Sequence, residues 1–157
     1  MLITRDMTDF VRLLKKNKVK YVLVGGFAVI YYGYVRTTQD IDIVVLPSRE
    51  NAGKMLKVLK QFGFGGAGFT LDVFEKEGTA IHLGAEPNRI DILTSLKGVS
   101  NRSIFAHAKR VRHKGISLKV ISFRDLLACK KHSTRPKDLA DADMLEKTAK
   151  KAGKTAR

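Results

Sequence analysis

The feature that most constrains the fold is a pair of aspartates inside an apolar segment, QDIDIVV, at residues 39–45. Aspartate is a poor strand former, and burying an unpaired carboxylate costs several kcal/mol. Side chains i and i+2 of a strand share one face, so Asp40 and Asp42 project together while Ile41 and Ile43 point the other way. The segment therefore predicts a strand with one apolar face and one face that carries two carboxylates.

A third aspartate repeats this pattern. Asp91 lies in a second apolar segment, RIDIL, at residues 89–93. If the two strands are neighbours, three carboxylates converge at one end of a sheet. Like charges at this spacing repel unless a cation or a proton lies between them, and carboxylate oxygens are the ligands that Mg²⁺ prefers. The alternative is that Asp40 begins its strand and Asp42 pairs with a surface lysine or arginine.

The rest of the chain predicts an α/β (α+β) fold, a small mixed β-sheet with helices packed on it. Strands are predicted at 20–26, 41–47, 79–84, 89–94 and 116–121. Helices are predicted at 6–17, 27–33, 48–64, 101–111, 122–132 and 135–151, and a glycine-rich loop at 63–68.

Length and charge indicate one basic domain. The chain has 157 residues, enough for one ordinary domain, which we place at 1–147 with a core at 19–122 and C-terminal helices at 122–147. Residues 148–157 are predicted to be a basic tail, frayed or disordered. The net charge is +15, of which +10 lies from residue 107 onward. This charge favours a polyanionic partner such as nucleic acid or a nucleoside triphosphate, and a solvated basic surface is the alternative.

Composition also bears on location. Cys129 is the single cysteine, so the sequence offers no disulfide framework and no cysteine-based zinc site. No apolar run is long enough to span a membrane, and the N-terminus does not have the pattern of a signal peptide. We therefore expect a cytoplasmic protein without a membrane partner.

The segment VGGFAVIYYGYVRTTQDIDIVV resembles the signature of the nucleotidyltransferase superfamily, which has the polymerase β-like fold. The motif formed by Gly33, Arg36, Thr38, Asp40 and Asp42 is similar to that of a small stand-alone prokaryotic branch of this superfamily. This branch is related to the abortive-infection type nucleotidyltransferase toxins. A C-terminal block resembles the same branch through Lys130, Arg135, Lys137, Asp138 and Asp141. The resemblance spans roughly residues 19–146.

The resemblance implies a metal-dependent site. Gly25 and Gly26 would let the backbone approach the triphosphate. Asp40 and Asp42 would hold the nucleotide-bound Mg²⁺ and would share a second ion with Asp91, with Mn²⁺ as the alternative metal. The second ion would lower the pKa of the attacking hydroxyl. This two-metal mechanism requires Asp91 to lie beside the other two carboxylates.

The resemblance also implies roles for the flanking residues. Arg36 and Thr38 would lie at the mouth of the site, where Arg36 contacts phosphate; a plain surface arginine is the alternative. Lys130 would reach the triphosphate or the acceptor; a helical surface lysine is the alternative. Asp138 and Asp141 would orient Arg135 or Lys130 rather than bind metal, and Lys137 completes this supporting block. His82 is expected to be a sheet residue and not a ligand.

The function implied is that of a Mg²⁺-dependent nucleotidyltransferase. It would move an NMP unit from an NTP such as ATP to an acceptor hydroxyl on an RNA or tRNA end or on a protein, as the toxin of a toxin–antitoxin pair in one version. The alternative is a catalytically silent nucleotide- or RNA-binding module of the same fold, whose RNA affinity would depend steeply on salt.

Overall fold

The fold is a six-stranded mixed sheet with helices packed on it, as the sequence predicts; the computed structural model of the chain describes residues 4–155. The strands are β1 (Tyr21–Leu23), β2 (Ile41–Val45), β3 (Ala80–Leu83), β4 (Ile90–Leu93), β5 (Lys109–His113) and β6 (Ile116–Val120). The helices are α1 (Arg5–Lys16), α2 (Gly25–Tyr31), α3 (Arg49–Leu59), α4 (Asp72–Glu75), α5 (Asn101–His107), α6 (Phe123–His132) and α7 (Pro136–Thr155), with a π-helical turn (Lys60–Phe64) after α3.

The strand order places the two aspartate strands side by side. It runs β3-β4-β2-β1-β6-β5 across the sheet. Strand β2 is parallel to β4 and antiparallel to β1, so the C-terminal end of β1 and the N-terminal ends of β2 and β4 lie together at one end of the sheet. This end of the sheet carries Gly25, Asp40, Asp42 and Asp91.

The helices follow their sequence signals. The Thr4 side chain accepts a hydrogen bond from the Met7 N–H and begins α1, whose buried face consists of Met7, Phe10, Val11 and Leu14. The Ser48 and Ser122 side chains cap α3 and α6 in the same way. These apolar faces and the apolar side chains of the central strands form one continuous core.

Two segments differ from the prediction. The helix predicted at 101–111 ends at His107, and Lys109–His113 forms β5 because it pairs along its whole length with β6 in a hairpin. Pairing between two strands is a tertiary interaction, and it overrides the helical preference of a short local segment.

The second difference is the C-terminal tail. Helix α7 continues to Thr155, so the described part of the predicted tail, residues 148–155, is helical. Leu145 is fully buried and anchors the helix on the core, and the Thr148 hydroxyl donates to the Met144 carbonyl one turn earlier. Over residues 4–155, the structure contains no helix that is both long and apolar enough to cross a membrane.

Candidate active site

A cleft of about 640 Å³ lies at the end of the sheet where β1 ends and β2 and β4 begin. Helices α6 and α7 form the wall opposite the sheet. The cleft is lined by nearly all of the residues that the sequence nominates: Gly25, Gly26, Arg36, Thr38, Asp40, Asp42, Asp91, Lys130, Arg135, Lys137 and Asp138. Asp141 lies behind this wall, fully buried.

Three carboxylates meet at the sheet side of the cleft, and we call Asp40, Asp42 and Asp91 the carboxylate cluster. Asp42 and Asp91 are direct partners in the parallel register of β2 and β4. The Asp40 Oδ1 accepts a hydrogen bond from the backbone N–H of Arg89 at 3.0 Å, just ahead of β4. The structure therefore brings the three predicted aspartates together.

Asp91 has close partners of its own. Arg89 donates to it twice, from Nε to Oδ1 at 2.7 Å and from Nη2 to Oδ2 at 2.9 Å. The Nδ1 of His82, on the register-matched position of β3, lies 2.7 Å from the same Oδ1. Within residues 4–155, no three His, Cys, Asp or Glu side chains are arranged to hold a metal ion.

Asp42 carries a carboxylate that is poorly compensated. Burial, together with repulsion from Asp91, raises its pKa from an ordinary 3.8 to about 6. A hydrogen bond from the Gly26 backbone N–H and the positive charge of Lys130 act in the opposite direction but are weaker. Among residues 4–155, no basic side chain forms an ion pair with Asp42, so the charge of its carboxylate is compensated only in part.

The two glycines are required by contacts inside the site. Gly25 has φ +60°, and a Cβ there would lie 2.1 Å from Asp42 Oδ2. A Cβ on Gly26 would lie 2.5 Å from Thr38 Oγ1. The family resemblance implies that the glycines let the backbone approach a triphosphate. In the structure they let the β1–α2 turn pack directly on Asp42 and Thr38.

A second set of charges, which we call the charge cluster, lies under the opposite wall and consists of Arg36, Lys130, Asp138 and Asp141. The Lys130 Nζ lies 2.5 Å from Asp138 Oδ1 and 3.0 Å from Asp141 Oδ2. The Arg36 Nη2 donates to Asp141 Oδ2 at 3.1 Å, and its Nε lies 2.9 Å from Oδ1 without hydrogen-bond geometry. Lys130 is 8% exposed, so the alternative of a surface lysine is wrong.

These contacts decide which residue each aspartate orients. Asp138 and Asp141 both hold Lys130, one of the two partners that the sequence suggests. The Nε of Arg135 lies 4.0 Å from Asp138, and its side chain is 76% exposed. Arg135 and Lys137 are therefore exposed cations at the rim of the cleft, and only Lys130 is built into the wall.

Sequence reasoning missed Arg89. It stands two residues before Asp91 and therefore shares its strand face, by the same period-two rule that grouped Asp40 with Asp42. The rule holds for basic side chains as well as for carboxylates, and it identifies Arg89 as a neighbour of Asp91 on the same strand face. His82 is a sheet residue as expected, but it also contacts Asp91.

A family model matches nearly the whole chain. The model of a family described as "Nucleotidyl transferase of unknown function (DUF2204)" matches residues 3–156. No curated protein sequence matches the chain.

Solved structures share the fold. The lincosamide antibiotic adenylyltransferase LnuA, bound to lincomycin, is 16% identical with a TM-score of 0.54, over 92% of this chain and 97% of that chain. The antibiotic-resistance factor ANT(2'')-Ia is 9% identical with a TM-score of 0.58, over 89% of this chain and 80% of that chain. At these identities the similarity establishes the fold alone.

Proposed function

The chain belongs to the nucleotidyl transferase family DUF2204, and from this premise we propose that it moves an NMP unit from an NTP to an acceptor hydroxyl, with Mg²⁺ at the carboxylate cluster. The observation that carries the proposal is the meeting of Asp40, Asp42 and Asp91 at one end of two paired strands, in a cleft with basic side chains on its opposite wall. Within residues 4–155, Asp40 and Asp42 have no basic side chain bonded to them, which leaves two carboxylates for the divalent ion of a metal–nucleotide complex.

The donor set fits a divalent ion. Asp40 and Asp42 offer hard carboxylate oxygens, and the raised pKa of Asp42 indicates negative charge that still lacks a counterion. We assign these two side chains as the primary holders of Mg²⁺, with Mn²⁺ as a substitute, and Asp91 as the neighbouring carboxylate. Bound there, the ion would neutralise charge on the phosphates of the NTP.

The chain's other residues would position the nucleotide. Gly25 and Gly26 present the backbone of the β1–α2 turn to the cleft next to Asp42. Arg36 and Lys130 are both tied to Asp141, so we propose that they support the turn and Asp42 electrostatically rather than reach far into the cleft. The exposed Arg135 and Lys137 are then cations of the opposite wall that are available to the triphosphate.

For the acceptor we propose an RNA or tRNA end, because a chain with a net charge of +15 attracts polyanions. A protein hydroxyl is the second acceptor class, and a toxin that is held in check by an antitoxin partner is the corresponding biological role. The adenylyltransferase of the same fold that was solved with lincomycin adds small hydroxyl compounds to the panel that should be tested. The cytoplasmic location stays a prediction.

Transfer from α-labelled NTPs tests the reaction. Each of the four NTPs is incubated with the protein, Mg²⁺ and one acceptor class at a time, namely total RNA, a protein extract or small hydroxyl compounds. We expect one class to become labelled, the label to be lost in Asp42→Asn, and to persist in Asp143→Asn, an exposed aspartate on α7 that pairs with Lys147. If no NTP is bound or turned over with any divalent metal, the proposal is wrong.

The non-enzymatic alternative makes the opposite prediction. A silent RNA-binding module should keep its RNA affinity, with a steep salt dependence, in a variant that lacks both Asp40 and Asp42. Loss of binding in that variant in the presence of metal would count against the alternative.

A further inference from the structure

Asp91 is almost fully engaged by its neighbours. Its Oδ1 lies 2.7 Å from Arg89 Nε and 2.7 Å from His82 Nδ1, and its Oδ2 accepts from Arg89 Nη2 at 2.9 Å. A carboxylate oxygen has two lone pairs, so Oδ1 has no acceptor site left when His82 donates, and Oδ2 retains about one. The Asp91 residue is also 7% exposed. An ion could reach Asp91 only through the one remaining lone pair of Oδ2, beside a guanidinium of like charge, and coordination by both oxygens would displace the guanidinium.

Arg89 is held in this position from several sides. Its backbone N–H donates to Asp40, and its Nη1 donates to Glu86 Oε1 at 3.0 Å. Three of the five N–H groups of the guanidinium therefore donate hydrogen bonds to Asp91 and Glu86. Arg89 also lines the cleft, so the two donors without a described protein partner are available to a ligand in it.

We propose that the Arg89 guanidinium is a built-in cation that takes the place of a second metal ion at Asp91, so that the site binds one divalent ion. Within the carboxylate cluster, Arg89 offsets the charge of Asp91, which leaves the two negative charges of Asp40 and Asp42 for a single doubly charged ion. This inference rests on the proposed function for the identity of the ligand, but the contacts that support it belong to the chain alone.

Arg89 would also contact the phosphates of the NTP. Arg89 lines the same cleft as Asp40 and Asp42, and its remaining N–H groups would donate to a phosphate oxygen of an NTP bound there. A planar guanidinium can serve a carboxylate and a phosphate at once because its donors point in several fixed directions. A lysine at this position would retain the charge and lose the paired contact with Asp91.

The number of bound Mn²⁺ ions tests the proposal directly. The full chain is titrated with Mn²⁺ at saturating nonhydrolysable NTP analogue, and free Mn²⁺ is measured by electron paramagnetic resonance. The analogue alone is titrated in parallel. We expect one ion per wild-type chain, and two in Arg89→Gln, because Asp91 is then free to act as a ligand. The double variant Arg89→Gln, Asp91→Asn should return to one ion.

The matched control is Arg49→Gln. Arg49 also pairs with a carboxylate, Glu75 at 3.3 Å, but it is exposed and lies outside the cleft, so its removal should leave the count at one. Two ions of comparable affinity in the wild type, or one ion in a folded Arg89→Gln chain, would overturn the proposal. If Arg89→Gln does not fold, the wild-type count alone decides. A wild-type chain that binds neither the analogue nor Mn²⁺ overturns the proposed function itself, a distinct result.

Discussion

The two walls of the cleft differ in whether their buried charges have partners of opposite sign. In the charge cluster, Arg36 and Lys130 lie within 3.1 Å of carboxylate oxygens of Asp138 or Asp141, so every member has a partner of opposite sign. In the carboxylate cluster, Asp91 is paired, whereas Asp42 receives a hydrogen bond from the Gly26 backbone and no direct basic partner is described.

The difference separates a structural use of charge from a functional one. Paired charges fix geometry: the charge cluster ties α6, α7 and the segment before β2 into one wall. An uncompensated carboxylate makes the free protein less stable, and its energy is recovered when a cationic ligand binds. Variants on the two sides should therefore fail in different ways.

The largest effect is expected for Asp42→Asn. We expect activity to fall by about 10³-fold or more, because the neutral amide can no longer compensate a divalent ion and the loss corresponds to about 4 kcal/mol of transition-state stabilisation. The thermal midpoint should stay equal to that of the wild type or rise, because a poorly compensated buried charge is removed. Initial rates and thermal unfolding of the same preparation measure both quantities. A large loss of stability would place Asp42 with the structural charges instead.

Asp141→Asn should show the reverse pattern. Asp141 is 1% exposed and contacts both Arg36 and Lys130, so its loss removes the carboxylate partner of Arg36 and leaves Lys130 with Asp138 alone. We expect the free energy of unfolding to fall by about 3–5 kcal/mol. Asp143, two residues on, pairs with Lys147 at 2.7 Å on the exposed side of α7, and Asp143→Asn should cost about 0–1 kcal/mol. Urea unfolding of both variants makes the comparison. Equal costs would mean that the charge cluster does not stabilise the fold.

The pH dependence of stability sharpens the contrast further. The folded pKa of Asp42 is raised from 3.8 to about 6, so the folded state favours the protonated carboxyl. Its contribution to stability is therefore complete below about pH 4 and is lost as the pH rises through 6. Without metal, the stability of Asp42→Asn relative to the wild type should increase by about 1–3 kcal/mol between pH 4.5 and 7.5. Urea unfolding in EDTA at the two pH values tests this, and a constant difference would contradict it.

The smallest effect is expected at the rim. Lys137 is exposed and lines the cleft, so Lys137→Gln should raise the KM for the NTP by about 2–5-fold at low salt, with little change at high salt. Lys131, an exposed lysine of α6 that pairs with Glu146, provides the control, and its replacement by glutamine should leave the KM unchanged. An effect of Lys137→Gln that persists at high salt would point to a direct buried contact.

The carboxylate cluster could be predicted from the sequence because its rule is local: aspartates two apart in an apolar strand share a face. The pairing of β2 with β4 stands in the sequence analysis only as a condition, and the parallel register of the two strands fulfils it. The charge cluster could not be assembled in this way, because Arg36 and Asp141 are separated by 105 positions and meet only through the packing of α7. Strand β5 escaped prediction for a similar reason, since its pairing with β6 decides its conformation.

The most direct test of the central claim is equilibrium binding of a nonhydrolysable NTP analogue with and without Mg²⁺ at pH 7.5. The account predicts tight binding to the wild type only with the divalent ion, a loss of about 100-fold or more in Asp40→Asn and Asp42→Asn, and full retention in Asp143→Asn. Equal affinity of the wild type and both carboxylate-cluster variants, with Mg²⁺ present or absent, would contradict it.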